Sequence, residues 1–240
     1  MSALALPTRH DEDWRYSDVA AVASVWPVPA PTTIRVNAGE ARSDALLQDA
    51  VDDAVVVRDY VITLAAGARL DFHLLNVGGR LGRVTFDVRL EEGAHFGLHA
   101  AIIGGDEQTL ELITTVSHAE PDATSEQVVR TVMGGRATGN YLGKIAVARQ
   151  AQGTDASQSV KAMLLSRQAT VNAKPELEIF ADDVKCAHGC AVGELDKQAL
   201  FYMASRGMDP QTAQTLLLRA FVAGVFDGIG DEAERARFEA

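Results

Sequence analysis

A chain of 240 residues with 47% apolar but only 6% aromatic side chains can bury a sizeable core, built from Val, Leu, Ile and Ala rather than from rings. Its 22 basic and 33 acidic residues give a formal charge of −11, which argues against nucleic acid or an anionic membrane as partner, because both need a basic footprint. No apolar run approaches the ~20 residues that span a bilayer, Met1 to Asp13 lacks the basic-then-apolar order of a secretory signal, and two cysteines four residues apart form no disulfide framework; a reducing cytoplasm is the expected setting.

Residues 1–35 are short and proline-rich, with Pro7, Pro27, Pro29 and Pro31 restricting the backbone. Asp11 to Ser17 and Asp18 suggest a short helix ahead of a linker, with Trp14 and Tyr16 as hydrophobic anchors onto the main body.

From about 36 to 193 short β-branched runs recur: Val55 to Val57, Tyr60 to Leu64, Val84 to Leu90 and Thr109 to Val116. Each is strand-like by alternation or apolar density. Two corners look alike, Leu64-Ala65-Ala66-Gly67-Ala68 and Leu90-Glu91-Glu92-Gly93-Ala94, 26 residues apart. A weaker echo pairs Thr124 to Val128 with Ala156 to Val160, 32 residues on. Such spacing suits stacked repeats, and strands joined by corners without intervening helices argue against a doubly wound α/β sheet. A β-solenoid and a β-sandwich both fit; a solenoid of roughly 20–30 residues per coil would hold roughly five to seven coils here.

Residues 194–240 read as helical. Asp196 is a candidate N-cap for a helix through Leu200, Phe201 and Met203 that ends near Gly207. Asp209-Pro210 starts a second helix, in which Ala213, Leu216, Leu217, Ala220, Phe221 and Gly224 form one apolar stripe and Leu218, Val222, Val225 and Phe226 add apolar surface off it. A helix apolar nearly all round is enclosed on both sides, one side by its own body and the other by tight intrachain packing or by a partner.

Chemistry concentrates in Cys186, His188 and Cys190. On an extended strand these alternate positions share one face, and thiolate with imidazole suits zinc, copper or iron–sulfur chemistry better than magnesium or calcium. Same-face neighbours lie about 6.5–7 Å apart, too far to close around one ion without a bend at Gly189, so an incomplete site completed by another chain is the natural reading. Leu177, Ile179 and Ala181 are apolar while Glu176 and Glu178 alternate with them. If that strand runs on unbroken, Cys186 and His188 share the outward parity of the glutamates; a bend at Asp182-Asp183 would reverse this. No nucleophile–base triad is evident, and His73, His95, His99 and His118 read as structural. Gly78 to Gly82 and Gly134 to Arg136 lack the Lys-Ser/Thr of a phosphate loop, so catalysis and ATP hydrolysis by this chain are not expected.

Lys174 to Gly189, with Val192 to Asp196 and Ala199 to Gly207, resembles the C-terminal signature of the SufB/SufD family of iron–sulfur cluster assembly proteins, and Pro7 to Ser17 resembles the start of its SufD branch. The resemblance implies a right-handed parallel β-helix core (36–193) followed by a C-terminal helical subdomain (194–240). It implies a non-catalytic scaffold subunit in the cytoplasm that pairs with SufB through the β-helix and binds the SufC ATPase through its C-terminal helices. Leu217, Leu218, Phe221, Val222 and Val225 are the partner-binding candidates on that reading, and a homodimer of the isolated chain is an alternative pairing. In the family, sulfur from a cysteine desulfurase reaches SufB and a transient iron–sulfur cluster forms at the interface; its ligands on the SufD side map onto Cys186 and His188. Cys190 departs from the motif, standing where a small non-ligating residue is expected, and is carried as an extra metal-ligand candidate. The family also links a flavin to the assembled complex, and the chain is short for SufD. Rival readings are a solenoid carbohydrate-active enzyme and a zinc-stabilised interaction module.

Overall fold

The computed structural model describes residues 5–51 and 53–239; Met1 to Leu4, the first residues of the segment read for a signal, lie outside it. Twelve strands carry the architecture: β1 Thr32–Val36, β2 Ala41–Gln48, β3 Val55–Leu64, β4 Arg69–Asn76, β5 Leu81–Leu90, β6 His95–Gly104, β7 Thr109–His118, β8 Thr124–Met133, β9 Thr138–Val147, β10 Asp155–Leu164, β11 Thr170–Ile179 and β12 Lys185–Glu194. Odd-numbered strands form one six-stranded parallel sheet, in the order β1-β3-β5-β7-β9-β11, and even-numbered strands form the other, β12-β10-β8-β6-β4-β2. The chain therefore winds as a parallel β-solenoid of six coils, which decides between the two architectures that the periodicity allowed.

The coil length is set at the corners. Gly39, Gly67, Gly93, Asp122 and Gly153 stack in one column, all with positive φ between 59° and 75°, a region costly for side chains other than Gly, Asn or Asp. Each donates its backbone N–H to the next coil, Gly39 to Ala66, Gly67 to Glu92, Gly93 to Pro121, Asp122 to Gln152 and Gly153 to Asp183. The Leu64 and Leu90 corners are register partners, 26 residues apart. The second echo is one residue off: Thr124 pairs with Asp155, and Ala156 pairs with Ser125. Because a one-residue slip exchanges the faces of a strand, that shift decides which side chains point inward.

Inward-facing residues form the main core. At the N-terminal coils it is apolar, with Phe72, Phe86, Leu98 and Ile62 enclosed between the sheets and Phe72 and Phe86 edge-to-face at 4.8 Å. Toward the C-terminal coils the inward positions turn polar, where Thr114, Gln127, Tyr141 and Gln158 are all buried.

Two segments cover the outer faces. A 3₁₀ turn at Glu12–Trp14 and the short helix α1, Val19–Val22, lie over the odd sheet, where Ala21, Val22, Trp14 and Trp26 pack on Val57 and Leu81. Beneath them Arg83 and Glu111 form a buried ion pair at 2.7 Å, the Arg83 guanidinium stacks 3.8 Å from the Trp14 ring, and Ser17 Oγ donates to Glu111 at 3.0 Å. Trp14 is thus an anchor, whereas the Tyr16 side chain is exposed and Asn140 Nδ2 donates to its carbonyl at 3.0 Å.

The C-terminal helices are α2 Lys197–Ser205, α3 Pro210–Val222 and α4 Glu232–Glu239. Asp196 caps α2, accepting from the N–H groups of Gln198 and Ala199, and Asp209 caps α3 in the same way with Pro210 in the first turn. The stripe expected on α3 is not buried: Ala213 alone is, while Leu216 and Ala220 are exposed. Instead Val225, Phe226 and Ile229, beyond the end of α3, pack with Phe238 on Leu75 and Ala101 of the even sheet. Among the described residues no helix is long and apolar enough to cross a membrane.

Candidate functional site

The bend at Asp182 and Asp183 separates β11 from β12, and it reverses the parity that an unbroken strand would have given. In β11 the residues in register with buried Tyr141, Ile145 and Val147 of β9 are Ala173, Leu177 and Ile179, so Glu176 and Glu178 do point outward. In β12, Cys186 pairs with Ala156, His188 with Gln158 and Cys190 with Val160, and all three β10 partners are buried inward-facing residues. The expectation that Cys186 and His188 share the glutamates' outward face is therefore overturned. They continue the inner face of the solenoid.

They are nonetheless accessible. β12 is the terminal strand of its sheet and β11 of the other, so among the described residues no further coil seals the lumen. Cys186 is half-buried, and His188 and Cys190 are exposed. Around them the top coil leaves apolar inward positions uncovered: Ile179 and Val192, the latter 51% exposed, with Phe180 beside them. The three donors thus sit inside an exposed apolar rim.

Burial raises the Cys186 thiol above its ordinary value, the Asp155 carboxylate adds to the effect, and a hydrogen bond with the Ala156 backbone partly opposes it. Burial raises Cys190 as well. Both thiols therefore hold their protons at neutral pH until a metal or a cation favours the thiolate. The two cysteines are free, and β12 runs straight through Gly189 without the bend that would gather three ligands. Among the described residues no three His, Cys, Asp or Glu side chains converge as a metal site. Thiolate and imidazole are fit donors for iron–sulfur chemistry.

A second surface lies on the helices. Phe201 is 77% exposed, and Tyr202 and Leu216 are also well exposed, while Leu217, Leu218, Phe221 and Val222 are half-buried. Val225 does not belong with them: at 2% exposure it is part of the anchor on the even sheet, so its reading as a partner contact is corrected. The adjacent aromatic pair Phe201-Tyr202 was the signal in the sequence for this face.

Sequence reading also missed the polar interior beneath the three candidates. Thr114 Oγ1 donates to Gln127 Oε1 at 2.7 Å, the Tyr141 hydroxyl donates to the same oxygen at 3.2 Å, and Gln158 Nε2 donates to the Tyr141 oxygen at 3.3 Å. Gly143 makes room for this chain, since a Cβ there would stand 2.1 Å from the Tyr141 oxygen.

Comparison with known proteins gives this geometry a family. Residues 32–221 match the SUF system FeS cluster assembly SufBD core domain. The chain is 31% identical over 172 residues to the iron–sulfur cluster assembly protein SufD of Escherichia coli K12, covering 71% of this chain and 41% of that protein. It is 36% identical over 171 residues to the chloroplastic protein ABCI7 of Arabidopsis thaliana, covering 67% and 34%. It is 31% identical over 169 residues to the SufBD family protein slr0076 of Synechocystis, covering 69% and 37%. The chain thus spans well under half the length of these relatives. A six-coil parallel solenoid matched over residues 32–221 places the chain in the SufB/SufD family of SUF iron–sulfur cluster assembly proteins, most like SufD.

Proposed function

We propose that this chain is a non-catalytic scaffold subunit that pairs with a SufB-type protein at the open end of its solenoid and lends Cys186 and His188 to a cluster assembled there. The observation that carries the reading is the half-site on β12: soft donors on an inner face that no further coil of the described residues covers. Two unpaired parallel edges beside exposed Ile179, Phe180 and Val192 suit the addition of strands and apolar surface from a second solenoid.

The cluster is cargo in this reading. His188 offers an imidazole nitrogen. Cys186 gives up its thiol proton to solvent as iron binds, because only the thiolate ligates, and its raised pKa keeps it protonated beforehand. The partner completes the shell. Cys190 shares the face and is a third candidate donor. The flavin of the assembled complex has no site that we place on this chain.

The exposed Phe201, Tyr202 and Leu216, with half-buried Leu217, Leu218, Phe221 and Val222, form the face that would take a SufC-type ATPase. A cytoplasmic setting accords with two free cysteines. The test is co-expression with SufB- and SufC-type proteins, purification, and anaerobic reconstitution with iron and a sulfur source. The reading predicts a stable three-protein complex whose cluster absorbance needs this chain. Equal cluster yield without the chain, or failure of the chain to join the complex, would reject it.

A further inference from the structure

We infer that Gln158 is the positioning residue that fixes the ring orientation and tautomer of His188 for metal ligation; the inference rests on the reading of His188 as a ligand. Of the three candidates on β12, only His188 stands over a polar partner. Cys186 pairs with Ala156 and Cys190 with Val160, whereas His188 pairs with Gln158. In-register residues on neighbouring strands share a face and lie about 4.8 Å apart along the hydrogen-bonding direction.

The hydrogen bonds among Thr114, Gln127, Tyr141 and Gln158 leave two polar atoms over, Gln127 Nε2 and Gln158 Oε1, and only the second belongs to the strand beside His188. The Tyr141 hydroxyl has a single proton and gives it to Gln127 Oε1, an oxygen that also accepts from Thr114. The Tyr141 oxygen accepts from Gln158 Nε2. That bond turns the amide so that Gln158 Oε1 is left over, and it has no partner although Gln158 is only 2% exposed. A buried acceptor without a donor is costly, and the side chain in register above it carries one.

A neutral imidazole has one N–H and one lone pair. Donating the N–H to Gln158 Oε1 leaves the other nitrogen with its lone pair turned toward the open end, where a metal would be met. A ligating histidine characteristically gives its second nitrogen to such an acceptor, which sets tautomer and orientation. The polar interior then has a purpose: Thr114, Gln127 and Tyr141 hold the amide of Gln158 the right way round.

The test uses the full chain with ¹⁵N-labelled histidine and reads the His188 tautomer by long-range proton–nitrogen NMR. Wild type is expected to show one tautomer, Gln158→Leu a mixture, and Gln158→Glu, which keeps an acceptor, a single tautomer again. In the complex with a SufB-type partner, Gln158→Leu should lose its reconstituted cluster about 10-fold faster than wild type, with Gln158→Glu restoring retention. A mixture of tautomers in wild type, a reading that needs no variant to fold, would overturn the inference, as would an unchanged tautomer in Gln158→Leu. His188→Ala separates the two levels of the argument. If it retains the cluster, the ligand reading fails; if it loses the cluster while Gln158→Leu changes neither tautomer nor retention, only the role of Gln158 fails.

Discussion

Cys186 and Ala156 are register partners on β12 and β10, so the cysteine tops a column that continues downward through Ser125, Phe96 and Leu70. Ala156, Ser125, Phe96 and Leu70 are buried, and Cys186 is half-open. What distinguishes it is the missing layer above. Both thiols should therefore react with iodoacetamide in the isolated chain, Cys190 faster than the less exposed Cys186. Since burial raises both thiols, their thiolate fraction at pH 7.5 is below that of a free peptide cysteine. Alkylation followed by mass spectrometry should be slow there and keep accelerating past pH 9. A SufB-type partner should protect both by about 10-fold or more; equal rates with and without it would argue that this end is not the interface.

His118 makes stability depend on mild acid. It lies inside the solenoid with Nε2 2.9 Å from Ser125 Oγ, and burial pushes its pKa from 6.5 down to about 4. Above pH 6.5 both folded and unfolded chains hold the ring neutral, and nothing is lost. As the pH falls from 6.5 toward 4 the unfolded chain gains a proton that the folded one refuses, so stability declines by up to about 3 kcal/mol. Burial lowers His73 and His95 in the same direction. Urea unfolding at pH 7 and pH 5 should show the decline, and His118→Leu should flatten it by about one proton. An unaltered slope in that variant would remove His118 from the account.

Gly143 is required by the hydroxyl of Tyr141. A Cβ at position 143 would stand 2.1 Å from that oxygen and 2.8 Å from Gln158 Nε2, and forced overpacking of this kind costs about 1–3 kcal/mol. Gly143→Ala should destabilise accordingly. Tyr141→Phe alone should cost about 1 kcal/mol, and the double variant should recover part of the loss in Gly143→Ala, because the 2.1 Å contact is gone while the ring carbon Cζ, 2.4 Å from the added Cβ, remains. A double variant as unstable as the sum of the two singles would show that the contact is not the cause.

Glu111 fastens the N-terminal segment. It receives Arg83 at 2.7 Å, Ser17 at 3.0 Å and Asn140 at 2.9 Å, all beneath Trp14. Removing one member of a buried pair leaves the other charge uncompensated, at about 3–5 kcal/mol. Glu111→Ala should lower the denaturation midpoint and open Arg15 to brief trypsin treatment while the solenoid persists. Wild-type trypsin resistance would contradict this view of the segment.

The solenoid was legible because its corners repeat: Gly67 and Gly93 must occupy the same left-handed turn, and the 26-residue echo is their true register. The Thr124 echo misled by one residue because similar polar residues occur on both faces of β8 and β10, and only the corner's left-handed Asp122, standing where other coils have Gly, fixes the count. For the same reason the parity of β12 could not be carried from β11 through the bend at Asp182-Asp183. The three donors could be named from their spacing, yet their direction could not. Gln158 was invisible, since a buried glutamine looks like any other in a sequence until register puts it under His188. On α3, apolar periodicity predicted a buried stripe, but the anchoring is done by Val225, Phe226 and Ile229 after the helix has ended.

The central claim is that His188 of this chain binds the cluster at a shared interface. It is tested most directly by pulsed EPR on the reduced, cluster-loaded complex in which this chain alone carries ¹⁵N-labelled histidine. The account predicts a ¹⁵N hyperfine coupling to the cluster in wild type that disappears in His188→Ala. A cluster-loaded wild-type complex without that coupling, or a coupling that persists in the variant, would contradict it.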